Sequence, residues 1–397
     1  MPRVFLVVMD GVGIGGAPDA RYFDNGTTSD YGANTLGNIA RHRSKLGCSL
    51  NLPTLASLGL GSAALLASGH SIQSLQVDPI GLYGAATSVS KGKDTQSGHW
   101  ELAGFPVPWE WHLFPKTVPT FPKELIRIVS DVSGTSGVLG NCHASGLRII
   151  EQLGREHMHT GMPICYTSMD SVFQIAAHEE TFGLSRLLRL CEILAPICHE
   201  MKVGRVIARP FIGDSISGFT RTLNRKDFAV APPHSILTNW VSSAGRNVYA
   251  LGKIGDIFSM SGISELRKGE DLALMNHLDD LVESVEDGAL VFANFVEFDS
   301  LFGHRRDVEG FAAALEWFDQ RIGRVLSRLR AGDILIVTAD HGNDPTWAGS
   351  DHTRERVPIL VAGCGAGSLG QLQFVDVAAS VSTHLGVQSN GFGTSFL

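Results

Sequence analysis

Three apolar runs in this chain each stop on an acid. RVFLVVMD is apolar from Val4 to Met9 and ends at Asp10, ALVFANFVEFD ends at Asp299, and ILIVTAD ends at Asp340 with His341 beside it. Runs of this kind, without alternation, suit parallel strands covered on both faces. In open α/β sheets, ligands gather beyond the carboxyl ends of such strands. One strand ending on Asp is an ordinary turn; three matching ends predict three carboxylates on one rim of one sheet. The intervening rhythm fits the same architecture, with NVYALGK as a strand and HLDDLVESVE as a helix. After Asp299 the spacing predicts a helix carrying Val308, Phe311, Leu315, Phe318, Ile322, Val325 and Leu329 on one face.

At 397 residues the chain is long enough for one large or two ordinary domains. FPVPWEWHLFPKTVPTFP, residues 105–122, carries five prolines and marks a crossing between domains. PFIGDSISGFTRTLNRKDFAVAPP, residues 210–233, reads as a second irregular stretch. Between them lie two helical patterns, GLRIIEQLGREHMH and FGLSRLLRLCEILAPICHEMK, and short apolar runs such as KVGRVIARPF. This middle segment is expected to be a domain inserted into the first.

Charge and cysteine usage narrow the function. The 32 basic and 40 acidic residues leave a net charge of -8, and no Lys/Arg cluster is long enough to track a phosphate backbone, so nucleic acid is not an expected partner. Six scattered cysteines without a CxxC pair read as reduced core thiols. FLVVM is too short for a signal-peptide core and LASLGLGSAALLAS too short to span a bilayer, so a cytoplasmic protein without membrane contact is expected. GVGIGG after the first run fits a dinucleotide fingerprint, but APDARYFDNGTTSDYGANT follows where a helix must open to hold a pyrophosphate. The glycines are read instead as a tight turn beside Asp10.

The histidines point to metal chemistry. His304 lies five residues after Asp299, His341 adjoins Asp340, and His352 follows in GSDHTRE. With Asp10 this makes three carboxylates and three imidazoles. Mixed oxygen and nitrogen donors suit Mn or Zn, and six ligands exceed one tetrahedral site but suffice for two metals. His42, His70 and His384 have no acid at a strand tip and read as structural. Two metals about 3.5–4 Å apart form a clamp for phosphoryl transfer, and such a site needs a nucleophile. The candidate is Thr95 in SKGKDTQSGHWELAG, where Gly92 and Gly98 permit close approach; the alternative is that Thr95 or Ser97 caps a helix.

MDGVGIG, KDTQSGHWE, YTSMDSVFQIAAHEE, DSLFGHRRD and TADHGNDPTWAGSDHTRE together resemble the phosphopentomutases of the alkaline phosphatase superfamily, from the first strand almost to the carboxyl terminus. The resemblance implies an α/β fold: a doubly wound alkaline-phosphatase-like core, residues 1–104 and 226–397, with a smaller α/β cap inserted at 105–225. It implies one Mn2+ on Asp299, His304 and His352, another on Asp10, Asp340 and His341, and Thr95 as the residue that carries a phosphoryl group. The implied reaction interconverts the 1-phosphate and 5-phosphate of ribose or deoxyribose through a 1,5-bisphosphate, with a sugar bisphosphate as primer. Ser168, Asp170, Arg209 and Lys253 match positions of the family's sugar-phosphate pocket. Gln96-Ser97, Glu297 and Asn343 depart from the usual residues, and none removes a ligand. A phosphatase or phosphodiesterase, in which water takes the phosphoryl group, and a metal-binding protein without activity are the alternatives. The related phosphoglycerate mutases use Ser where Thr95 stands.

Overall fold

A computed structural model describes residues 1–168 and 170–397. It divides into two units, Met1–Trp109 with Pro232–Leu397 and Glu110–Ala231. The strands in chain order are β1 (Val4–Met9), β2 (Leu82–Thr87), β3 (Leu139–His143), β4 (Ile164–Thr167), β5 (Val172–His178), β6 (Arg205–Asp214), β7 (Gly218–Arg221), β8 (Lys226–Ala229), β9 (Val248–Leu251), β10 (Glu265–Arg267), β11 (Leu290–Phe295), β12 (Ile334–Thr338), β13 (Val357–Ala362) and β14 (Gly367–Gln373).

In the first unit eight strands form one sheet in the order β10-β9-β11-β1-β12-β13-β2-β14. β1 sits between β11 and β12 and is parallel to both, with Val8 opposite Asn294 and Thr338. Every residue of these three strands is buried, as continuous apolar runs require of a sheet covered on both faces. Adjacency and shared direction put the three acidic ends on one rim. The sheet is mixed, however: β13 runs antiparallel to both β12 and β2. VPILVA is apolar throughout, so its pattern carries no information about direction.

A buried ion pair fixes the other end of the central strands. Arg3 Nε donates to Asp333 Oδ1 at 3.0 Å, and Nη1 donates to the Val282 and Val285 carbonyls at 2.9 and 3.2 Å. These residues stand just before β1 and β12, where the register begins with Val4 opposite Ile334. Arg3→Ala strands the Asp333 carboxylate and is expected to cost about 3–5 kcal/mol. The measurement is a urea denaturation midpoint at unchanged slope; a loss below about 1 kcal/mol would contradict the assignment.

The second unit holds a six-stranded sheet in the order β3-β4-β5-β6-β7, with β8 also paired to β6. One buried cluster gathers Leu125 and Val129 of helix Lys123–Ser133 with Leu187, Leu190 and Leu194 of helix Leu184–Glu200; another includes Ile149 and Ile150 of helix Gly146–Thr160. The stretch 210–233 is more regular than its composition suggests. β6 is long enough to pair with β7 through Phe211–Asp214 and with β8 through Arg205–Ala208. Asp214 closes the β6–β7 turn by accepting from the Ile216 and Ser217 amides at 2.8 and 2.7 Å. β8 lies within the second unit, which runs to Ala231.

The helix expected after Asp299 spans Val308–Leu326, so Leu329 falls beyond its end. Cys165, Cys191 and Cys198 are buried thiols, but Cys48 and Cys364 lie exposed on connections and Cys142 is half-buried. Among the described residues no helix is long and apolar enough to cross a membrane.

Candidate metal centre

All the acidic strand ends belong to the first unit. Asp10 follows β1, and its amide donates to the Phe295 carbonyl at 3.0 Å. Gly11 then turns with φ +79°, and its amide donates to Asp340 Oδ1 at 3.1 Å. Asp299 lies in a π-helical turn, Phe298–Gly303, in which the His304 amide reaches back to the Asp299 carbonyl at 2.9 Å. Such i→i+5 turns are rare and concentrate at functional sites. Here it brings residues five apart together, with His304 Nε2 at 3.2 Å from Asp299 Oδ2.

The six expected ligands converge. His341 Nε2 is 3.3 Å from Asp10 Oδ1 and 3.3 Å from Asp340 Oδ2. His352 Nε2 is 3.2 Å from Asp299 Oδ1 and 3.2 Å from His304 Nε2. The His341 and His352 rings stack with centroids 4.0 Å apart, joining the halves. Two sets have the separations of a metal site, Asp10–Asp340–His341 and Asp299–His341–His352, so His341 is within reach of both. Asp10 Oδ1 and Asp340 Oδ2 are buried without a well-aligned hydrogen bond, facing the His341 and His99 nitrogens at 3.1–3.3 Å. Buried carboxylate oxygens left this way are costly unless a cation supplies the missing interaction, and the oxygen and nitrogen donor set fits Mn or Zn.

Thr95 opens the helix Thr95–Leu102, and its Oγ1 lies 3.1 Å from His341 Nε2. The cap is Asp94, which accepts from the Ser97 amide at 3.0 Å, so Thr95 is not spent on capping. Gly98 earns its place on this helix: a Cβ there would stand 2.1 Å from the Asp340 carbonyl oxygen.

The electrostatics favour positive charge at the same point. Burial alone would lower the His341 imidazole, but the Asp340 and Asp10 carboxylates, with Asp299, raise it to about 10. Burial would raise Asp340, and the neighbouring His341 and His99 instead bring it down to about 2. In the metal-free protein a proton on His341 therefore stands where a cation is expected. Because the folded value is raised from 6.5, this stabilisation is complete below pH 6.5 and is lost as pH rises through about 10. A metal must displace that proton. Mn2+ affinity of the metal-free protein is expected to rise about tenfold per pH unit across that window, with proton release seen by calorimetry in buffers of different ionisation enthalpy. A pH-independent affinity would contradict the linkage.

Several surrounding residues were given no role in the site by the sequence reading. Asn343 Nδ2 donates to Asp299 Oδ1 at 2.7 Å and its Oδ1 accepts from Arg306 Nη1 at 2.5 Å. Asn294 Nδ2 donates to Asp10 Oδ2 at 3.0 Å. Glu355 is buried and accepts from the Gly15 and Thr35 amides and from the Thr35 and Thr353 hydroxyls, at 2.7–2.9 Å. Burial and the nearby Asp344 raise its carboxyl to about 7. A Cβ on Gly13 would meet Glu355 Oε2 at 2.3 Å. GVGIGG thus packs on Glu355, and no helix opens at the glycines; only a short turn, Ala20–Tyr22, follows.

The expected substrate residues are placed individually. Ser168 and the exposed Asp170 lie between β4 and β5, with Asp170 Oδ2 3.8 Å from Arg205 Nη2. Arg209 on β6 donates from Nη2 to Gln174 Oε1 at 2.7 Å, and its Nε is buried without an acceptor. Burial, with Arg225 and Arg221 nearby, lowers its guanidinium below the usual range. These three belong to the second unit; Lys253, which precedes helix Ile254–Ile257, belongs to the first.

The Metalloenzyme superfamily profile matches residues 2–389. A phosphopentomutase from Chelativorans sp. (strain BNC1) is 51% identical over 410 residues, covering 100% of this chain and 98% of the relative. A phosphopentomutase from Rhizobium leguminosarum bv. trifolii (strain WSM2304) is 50% identical over 411 residues, with 100% of both chains covered. Half the residues match along the whole length, and the chain belongs to the phosphopentomutase family within the metalloenzyme superfamily.

Proposed function

We propose that the protein is an isomerase that moves a phosphoryl group between the C1 and C5 oxygens of ribose or deoxyribose monophosphate. The observation that carries this reading is the Thr95 hydroxyl 3.1 Å from His341, beside buried carboxylate oxygens without a well-aligned hydrogen bond, in a chain half identical to phosphopentomutases.

Asp299, His304 and His352 would hold one Mn2+, and Asp10, Asp340 and His341 the other. When bound, the two ions would neutralise charge on the transferring phosphoryl group and favour the ionised form of the attacking hydroxyl. Thr95 carries the phosphoryl group between sugars. A sugar bisphosphate primes it: the Thr95 Oγ–P bond forms, the sugar O–P bond breaks, and the Thr95 proton ends on the monophosphate product. Each later turnover runs through a 1,5-bisphosphate. The substrate's free hydroxyl attacks phosphothreonine and loses its proton; the other phosphoryl group then returns to Thr95, and that sugar oxygen takes a proton. The start of helix Thr95–Leu102 favours the negative charge that Thr95 gains on phosphorylation.

Substrate binding is assigned to Ser168, Asp170, Arg209 and Lys253. Arg209 suits a two-pronged grip on the non-transferring phosphate and Lys253 adds a point charge. The role of Thr95 is tested by incubating Mn-loaded protein with ribose 1,5-bisphosphate and mapping phosphate by peptide mass spectrometry. Phosphate on Thr95, discharged by added ribose 5-phosphate, is expected; phosphate elsewhere, or none while the bisphosphate is consumed, would overturn it.

A further inference from the structure

His99 and Asn294 are fully buried, and each touches a different carboxylate of one candidate metal set. Asn294 lies on β11, opposite Val8 of β1, two residues before Asp10. Its Nδ2 donates to Asp10 Oδ2 at 3.0 Å and stands 3.2 Å from His99 Nε2. The Asp10 carboxylate accepts and does not donate, which fixes the Asn294 amide with its nitrogen on that side. The second amide hydrogen then meets His99 Nε2, which must be an unprotonated acceptor. The ring proton therefore sits on Nδ1, which donates to the Thr95 carbonyl at 2.9 Å and lies 3.1 Å from Asp340 Oδ2. The His99 ring is held between these groups and stacks on Phe292 with centroids 6.1 Å apart.

The geometry points to Asn294 and His99 as positioning residues that hold Asp10, Asp340 and the first turn of the Thr95 helix in mutual register for the metal pair. Neither reaches the reacting atoms. Asp10 cannot rotate without moving the Asn294 amide, Asn294 without losing His99, and His99 without releasing the carbonyl of Thr95. This rests on the metal reading proposed above.

The test uses the full chain. His99→Phe keeps the ring on Phe292 but deletes both nitrogens, and Mn2+ binding is followed by electron paramagnetic resonance of free and bound ion. One class of bound Mn2+ is expected to weaken about 10–100-fold, the loss usual for a partner behind a ligand, while the class at Asp299 and His352 is retained. Turnover should fall with KM little changed. His99→Asn, which restores a donor near the position of Nδ1, should recover part of the loss. Unchanged affinity in both classes, or equal weakening of both, would overturn the proposal. A second readout needs no variant: in nitrogen-15 spectra of the metal-free protein, His99 is expected as the Nδ1–H tautomer, and the Nε2–H tautomer would overturn it. If the unaltered protein binds no Mn2+, the metal reading itself falls and this inference with it.

Discussion

Thr95→Ala is expected to lower turnover by at least about 10⁴-fold, the scale seen when a covalent nucleophile is removed, while Mn2+ binding and folding stay intact. The separation follows from position. Thr95 is half-buried at the start of its helix, and the hydrogen bond that caps that helix runs from Ser97 to Asp94. Its hydroxyl meets the ligand His341 at 3.1 Å, but the contacts that join the ligands, from His341 to Asp10 and Asp340 and from His352 to Asp299, are made without it. The measurement is turnover of ribose 1-phosphate beside metal content and melting temperature. Turnover within tenfold of the unaltered protein would remove Thr95 from the chemistry; loss of metal would show that the hydroxyl holds the site together instead.

Asp340→Asn is expected to have the complementary effect. Its Oδ1 accepts from the Gly11 amide and its Oδ2 stands 3.3 Å from His341 Nε2, so the substitution keeps an acceptor for the glycine turn but removes the charge. It also removes the carboxylate that does most to raise His341, whose imidazole should fall from about 10 toward the ordinary range. Bound Mn2+ should drop from two ions per chain to one, and turnover by at least about 10³-fold, because charge neutralisation at the phosphoryl group is lost. The chain should still fold. Two ions retained at unchanged affinity would contradict Asp340 as a ligand. Together the variants separate carrying the phosphoryl group from holding the metals.

Much of this site is legible in the sequence because its ligands sit where strong local signals end. Buried parallel strands are apolar without interruption, so Asp10, Asp299 and Asp340 stand out at their tips, and the five-residue step to His304 is met by one π-helical turn. The surrounding residues carry no such signal. Asn294 lies inside an apolar run, and its partner Asp10 is 284 residues away; Glu355 meets Thr35 across 320. Partners so distant in sequence meet only through the sheet order. The pairing of β7 and of β8 with β6 was hidden for another reason. GFTR and KDFA are short, half-buried and largely polar, and β6 supplies the long strand that makes them strands at all.

The central claim is tested most directly by following ribose 1-phosphate by phosphorus NMR with Mn-loaded protein and a trace of ribose 1,5-bisphosphate. The account predicts that the ribose 1-phosphate resonance is replaced by that of ribose 5-phosphate without inorganic phosphate accumulating; inorganic phosphate as the product, or no change, would contradict it.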